Sequence, residues 1–148
     1  MKTVFSIILI LLASIVYAQS PEETAIKSTL SAETTAYMNR DYDAWAAHWD
    51  GSREVSFLVT NMEMRANSWE EISKAMKADM EANSTPIPAT LETTDFDISV
   101  SGNQAFVVYV QTMKFDGQEN KTYEIRNLRK INGQWKLAAM ISSSIGGE

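Results

Sequence analysis

The chain has 148 residues, 19 of them acidic against 13 basic for a formal charge of −6, with one histidine and no cysteine. An acidic chain repels phosphate backbones and anionic lipid surfaces, which argues against nucleic acid or a charged membrane as partner. One histidine without a thiol rules out zinc sites of the usual Cys/His kind, so no metal and no cofactor are expected, and stability must come from packing without disulfides.

In chain order, the first 18 residues read as a secretory signal peptide. Lys2 supplies the positive start, Val4 to Val16 the apolar stretch, and the small Ala18 the cleavage site. The expectation is export to a periplasm or the extracellular space, with no membrane insertion after cleavage, and a single domain over residues 19–148. The apolar run is shorter than the ~20 residues of a spanning helix.

Ser20-Pro21-Glu22-Glu23 orders a capping serine, an N1 proline and an N3 glutamate, predicting a helix from the start of that domain. Its ladder of positions 26, 30, 33 and 37 carries Ile26, Leu30, Glu33 and Tyr37, so a carboxylate falls on an otherwise apolar stripe. Asp41 caps a second helix running to Gly51, with Tyr42, Trp45 and Trp49 on one face and His48 one turn from Trp45. Glu54 to Thr60 reads as a strand, and Ser68-Trp69-Glu70-Glu71 is a capping box for a third helix that turns Trp69, Ile72, Met76 and Met80 inward.

After Pro86 and Pro88 the pattern switches to period two. Strands are expected at Ala89 to Val100, Gln104 to Phe115, Lys121 to Ile131 and Gln134 to Ser143, joined by glycine turns of which Asn132-Gly133 is the strongest hairpin signal. The turn at Ser101-Gly102-Asn103 leaves two registers open. A three-residue loop sends Phe106, Val108 and Val110 inward, whereas a two-residue loop sends Val107, Tyr109 and Gln111 inward.

The order of elements, together with NRDYDAWAAHW, NQAFVVYVQ and INGQWKLAA, resembles the nuclear transport factor 2-like superfamily in its SnoaL-like and ketosteroid-isomerase-like branch. That resemblance implies an α+β fold with three N-terminal helices packed on a curved antiparallel sheet, the cone of this superfamily. It favours the three-residue loop, which points Asn127 and Arg129 into the cone and puts Tyr109, Gln111, Glu124 and Arg126 on the outer face. It also implies that the branch's usual acid-base pair is missing. The position of the carboxylate base falls on Phe57, that of a tyrosine donor near Glu33, that of the acid completing an oxyanion hole near Asn127, and those of the last strand's histidines on Ala139 and Ile141.

The candidate residues each carry a chemical and a structural reading. Glu33 and His48 are proton carriers if they meet in a cavity, with Asn127 as hydrogen-bond donor; otherwise Glu33 pairs with Arg126 or Arg129, or Thr34 takes its inward slot, and His48 is a boundary residue. Tyr37, Trp45, His48, Trp49, Phe57, Trp69, Met76, Val108, Asn127 and Arg129 line the expected pocket, although tryptophans and methionines also make ordinary core. The sequence therefore supports a small-molecule-binding domain for an apolar ligand. Two alternatives stand beside it: an isomerase, dehydratase or cyclase using Glu33 or His48, and a homodimerising module that works through the outer sheet face.

Overall fold

A computed structural model describes residues 20–51 and 54–146; the expected signal peptide lies outside the described residues. Helix α1 (Pro21–Met38) starts where its cap predicts, with Ser20 Oγ accepting from the Glu23 amide at 3.1 Å. Helix α2 (Tyr42–Ala46) is capped by Asp41 as expected but is only five residues long. The expected run to Gly51 is corrected: the chain leaves the helix after Ala46, and Trp49 forms a parallel bridge with Leu137. Strand β1 (Ser56–Val59), a 3-10 turn at Thr60–Met62 and strand β2 (Met64–Ala66) lead to helix α3 (Trp69–Ala82), whose Ser68 cap accepts from Glu71 N while Glu71 Oε2 accepts from Asn67 N.

Strands β3 (Thr90–Ser101), β4 (Gln104–Phe115), β5 (Gln118–Ile131) and β6 (Gln134–Ser144) form the expected antiparallel meander. The full sheet has the order β2-β1-β6-β5-β4-β3. The expected curved, wholly antiparallel cone is overturned here. Strand β1 runs parallel to β6, with Phe57 opposite Met140, and the sheet is mixed and open, ending in β2 and β3. The parallel pairing follows from the chain path: residues 48–50 run alongside Leu137 and deliver β1 to the free side of β6 in the same direction.

The register is also the reverse of the one the resemblance favours. Ser101 pairs with Gln104, so the turn has two residues, with Gly102 at φ +57° where a side chain is disfavoured. Val107, Tyr109, Glu124, Arg126 and Leu128 consequently face the helices and are buried, while Phe106, Val108 and Asn127 face away. Two bulges adjust this face. One lies between Thr94 and Asp97 in β3, and the other sits where Asn127 and Leu128 meet Ala139 and Leu137.

The core joins Ile26 and Leu30 of α1, Trp45 of α2, Ile72, Met76 and Met80 of α3, and the helix-facing sheet residues. Its aromatic centre is tight: Trp45 stacks on Trp69 at 6.0 Å, and Trp49 lies 5.5 Å from Trp45 and 6.0 Å from Phe57. Arg40 ties the end of α1 to α3 through a 2.7 Å ion pair with Asp79, although its own backbone sits in the left-handed region at φ +59°. Both glycine and alanine at this position lose the ion pair, and only glycine also relieves the backbone, so comparing the two isolates the strain. Urea denaturation is expected to find Arg40→Gly more stable than Arg40→Ala by about 1 kcal/mol; equal midpoints would show that this backbone position carries no strain.

Candidate functional site

Glu33 is the only acidic residue on the buried face of α1, beside Ile26, Leu30 and Ala36. A bare carboxylate there would cost several kcal/mol, so its surroundings must satisfy it. Trp45 Nε1 donates to Glu33 Oε1 at 2.7 Å and Trp49 Nε1 donates to the same oxygen at 3.2 Å. The other oxygen, Oε2, lies 3.3 Å from Thr34 Oγ1, which is itself 3.1 Å from the Leu30 carbonyl. A threonine hydroxyl has one proton, and the carbonyl can only accept it. That single proton is shared between two acceptors, the Leu30 carbonyl and Glu33 Oε2. Burial raises the Glu33 pKa, against the opposing pull of the Arg126 charge and the indole and Thr34 hydrogen bonds.

Across the interior, β5 supplies a second buried group. Arg126 Nη1 donates to Glu124 Oε2 at 2.6 Å, and Glu124 Oε1 accepts from Thr122 at 2.6 Å and from Ser142 at 2.7 Å. Burial disfavours the Arg126 charge, but Tyr109, Glu124 and Glu33 together raise its pKa above the ordinary value. Its Nε has no hydrogen-bond partner among the described residues. The guanidinium lies 5.8 Å from the ring centroid of Tyr109, whose phenol burial pushes up to about 12.

The expected pocket residues separate into three environments. Trp45, Trp49, Phe57, Trp69 and Met76 belong to the aromatic core or pack against it, and they fill the space between helices and sheet. His48 sits half-buried outside that core; burial and then the nearby Lys136 lower its pKa, and its ring makes no hydrogen bond to Glu33. Tyr37 stacks under the Arg40 guanidinium at 5.1 Å. Val108, Asn127 and Arg129 face away from the helices. Asn127 and Arg129 line an outward depression of about 690 Å3 with Ser56 and Phe106, and Arg129 Nη1 bonds Asp50 at 2.8 Å. Glu33, His48 and Asn127 therefore do not converge.

The open cleft on the helix-facing side lies elsewhere, between α1 and the β3–β4 pair, with a volume of about 480 Å3. From α1 it receives Lys27, Leu30, Ser31, Thr34 and Thr35; from the sheet it receives Leu91, Thr93, Phe96, Tyr109 and Gln111. Phe96 stacks on Tyr109 at 4.8 Å with the rings 13° from parallel, forming an aromatic floor. Sequence reasoning missed this cleft because it placed Tyr109 and Gln111 on the outer face. The signal was present in β3: Leu91 and Thr93 alternate, then Phe96 and Ile98 resume one residue out of phase, which is the mark of a bulge.

Among the described residues no group of three or more His, Cys, Asp or Glu is arranged to hold a metal, and no helix is long and apolar enough to cross a membrane. Residues 26–146 match the SnoaL-like domain family. Solved structures with the same fold include a ketosteroid isomerase-like protein from Erwinia carotovora atroseptica, 20% identical, covering 86% of this chain and 98% of its own, with a TM-score of 0.65. An NTF2-like protein from Cytophaga hutchinsonii is 14% identical over 85% of this chain and 100% of its own (TM-score 0.68). An NTF-2 like protein of unknown function from Shewanella oneidensis is 17% identical over 82% and 98% (TM-score 0.66). No curated protein matches the chain. At these identities the likeness shows the NTF2-like fold alone.

The Glu33 cluster gives a signed prediction. A raised folded-state pKa favours the protonated protein, so the stability it contributes is complete below the unfolded pKa and is lost as pH rises through the folded value. Glu33→Gln keeps an acceptor for both indoles and a donor for Thr34 without the charge. The variant is expected to exceed the wild type at pH 8 by on the order of 1 kcal/mol or more, with the gap closing below about pH 4. Urea midpoints measured from pH 4 to 9 check this, and a variant less stable than wild type at pH 8 would refute it.

Proposed function

Because the chain belongs to the SnoaL-like domain family, a membership that establishes its fold and leaves its chemistry open, we propose from its own geometry that it is a binding domain for a small, largely apolar molecule held between α1 and the β3–β4 pair. One observation carries this reading: the cleft sets a stacked aromatic floor opposite a row of helix hydroxyls, while the rest of the interior is filled by tryptophan. Its volume of about 480 Å3 lies within the range of roughly 300–1,000 Å3 usual for small-molecule sites. The isomerase-type alternative lacks support, since Glu33 is sealed under two indoles and His48 and Asn127 lie elsewhere. The basic start and apolar run of residues 2–18 support export of the domain.

A second reading rests on the outward sheet face. Leu58, Ile141, Ile125 and Val108 align across four adjacent strands, and Phe106 and Tyr123 nearby are 45% and 52% exposed. A continuous apolar row of this kind suits a second copy of the chain packed face to face about a two-fold axis.

Both readings have direct tests. Ser31 is exposed at the cleft wall, so Ser31→Trp fills the cleft without disturbing the core. Apolar compounds that raise the melting temperature of the wild type are expected to lose that effect on the variant; shifts that survive the substitution would place binding elsewhere. Sedimentation velocity is expected to show a dimer that Ile125→Glu converts to monomer, and a wild type that stays monomeric at every concentration would rule out the sheet-face pairing.

A further inference from the structure

The cleft reading allows a narrower one that rests on it: we propose that the ligand is a monoanion, an apolar or aromatic body bearing one carboxylate, which Lys27 receives at the rim of the cleft. Lys27, Ser31 and Thr34 occupy successive turns of α1 on the wall that faces the sheet. Lys27 is half-buried. Its ammonium lies 4.6 Å from the ring centroid of Phe96, directly above the aromatic floor. Lys27 is the only formally charged residue in the lining, which contains no Asp and no Glu.

Acidic residues outnumber basic ones 19 to 13, and Lys77, Lys114, Lys121 and Lys130 each meet a glutamate. Lys27, like Lys74 and Lys136, has no carboxylate partner among the described residues, and of these three it alone lies over an aromatic ring. On the same helix Glu23, one turn before Lys27, forms no ion pair with it, and Glu33 turns away to Trp45 and Trp49. A cationic ligand would find no counter-charge here, and a neutral one would leave the ammonium with the Phe96 ring and solvent but no anion. A carboxylate supplies the missing partner, and the hydroxyls of Ser31 and Thr35 on the same wall add hydrogen-bond donors to its remaining lone pairs. Leu30, Leu91, Phe96 and Tyr109 then cover the apolar body.

The test uses two probes with one body and different charge, 2-naphthoate and 2-naphthalenemethanol, followed by amide NMR shifts in the domain. 2-Naphthoate is expected to move the amides of residues 27–35 and 91–96 and to bind about tenfold more tightly than the alcohol. Lys27→Met should weaken the acid by a similar factor and leave the alcohol unchanged, while Lys27→Arg retains the preference. If the alcohol binds the wild type as tightly as the acid, or if Lys27→Met leaves acid binding intact, the anion proposal is overturned and the cleft reading survives. If neither probe moves cleft amides, both are overturned. Equal binding of the acid to the wild type and to Ser31→Trp would place it outside the cleft and overturn the proposal as well.

Discussion

Two indole N–H groups converge on one oxygen of Glu33, and this convergence sets how the helices meet the sheet. Burying a carboxyl among Ile26, Leu30 and Ala36 is unfavourable unless hydrogen bonds replace the lost water. Trp45 satisfies it from within α2. Trp49 does so from a residue that has already left the helix and whose neighbours His48 and Asp50 exchange backbone hydrogen bonds with Leu137 of β6. One carboxyl group thus links α1, α2 and the sheet. The early end of α2 is part of the same arrangement, because residues 48–50 must be extended to pair with β6 and deliver β1 alongside it in parallel.

The charges inside the domain follow from that anchor. Glu124 and Arg126 neutralise each other on β5, and Thr122 and Ser142 complete the glutamate's hydrogen bonds. Arg126 is therefore already engaged with Glu124 while Glu33 sits across the interior from it. Burial raises the Glu33 pKa, while the Arg126 charge and the hydrogen bonds from Trp45, Trp49 and Thr34 pull against that rise. The interior holds two polar clusters, one paired as an ion pair and the other held by indole and hydroxyl hydrogen bonds. Neither resembles a catalytic pair open to substrate, since indole rings and the sheet enclose both.

Much of this was legible in the residues. The serine and aspartate caps at Ser20, Asp41 and Ser68 act locally, within three or four positions, and each starts its helix as read. The glycine hairpins after Phe115 and Ile131 likewise fix their strands through short-range backbone geometry. Glu33 stood out as a break in an apolar ladder. Its partners did not, because the direction of the Trp49 ring depends on where α2 ends and on a bridge to a residue 88 positions later. The parallel place of β1 is equally long-range. The sheet register hinged on whether the turn after β3 has two residues or three, a difference of one that exchanges the faces of every later strand. That single count moved Asn127 and Arg129 out of the interior and brought Glu124, Arg126 and Tyr109 in.

The bulge in β3 has the largest consequence for binding. Strict alternation from Leu91 and Thr93 would carry Asp95 and then Asp97 to the helix-facing side, beneath Lys27. Instead Asp95 adopts φ +55°, a left-handed conformation that aspartate tolerates better than most residues, and the phase shifts by one. Both aspartates turn to solvent, and Phe96 swings onto Tyr109 to make the cleft floor. The same kink therefore builds the aromatic surface and keeps carboxylates away from the lysine above it. A regular strand in this position would give Lys27 an internal partner and a polar floor. The irregular one leaves a cation facing an apolar cleft, which is the physical basis for expecting an anion with an apolar body there.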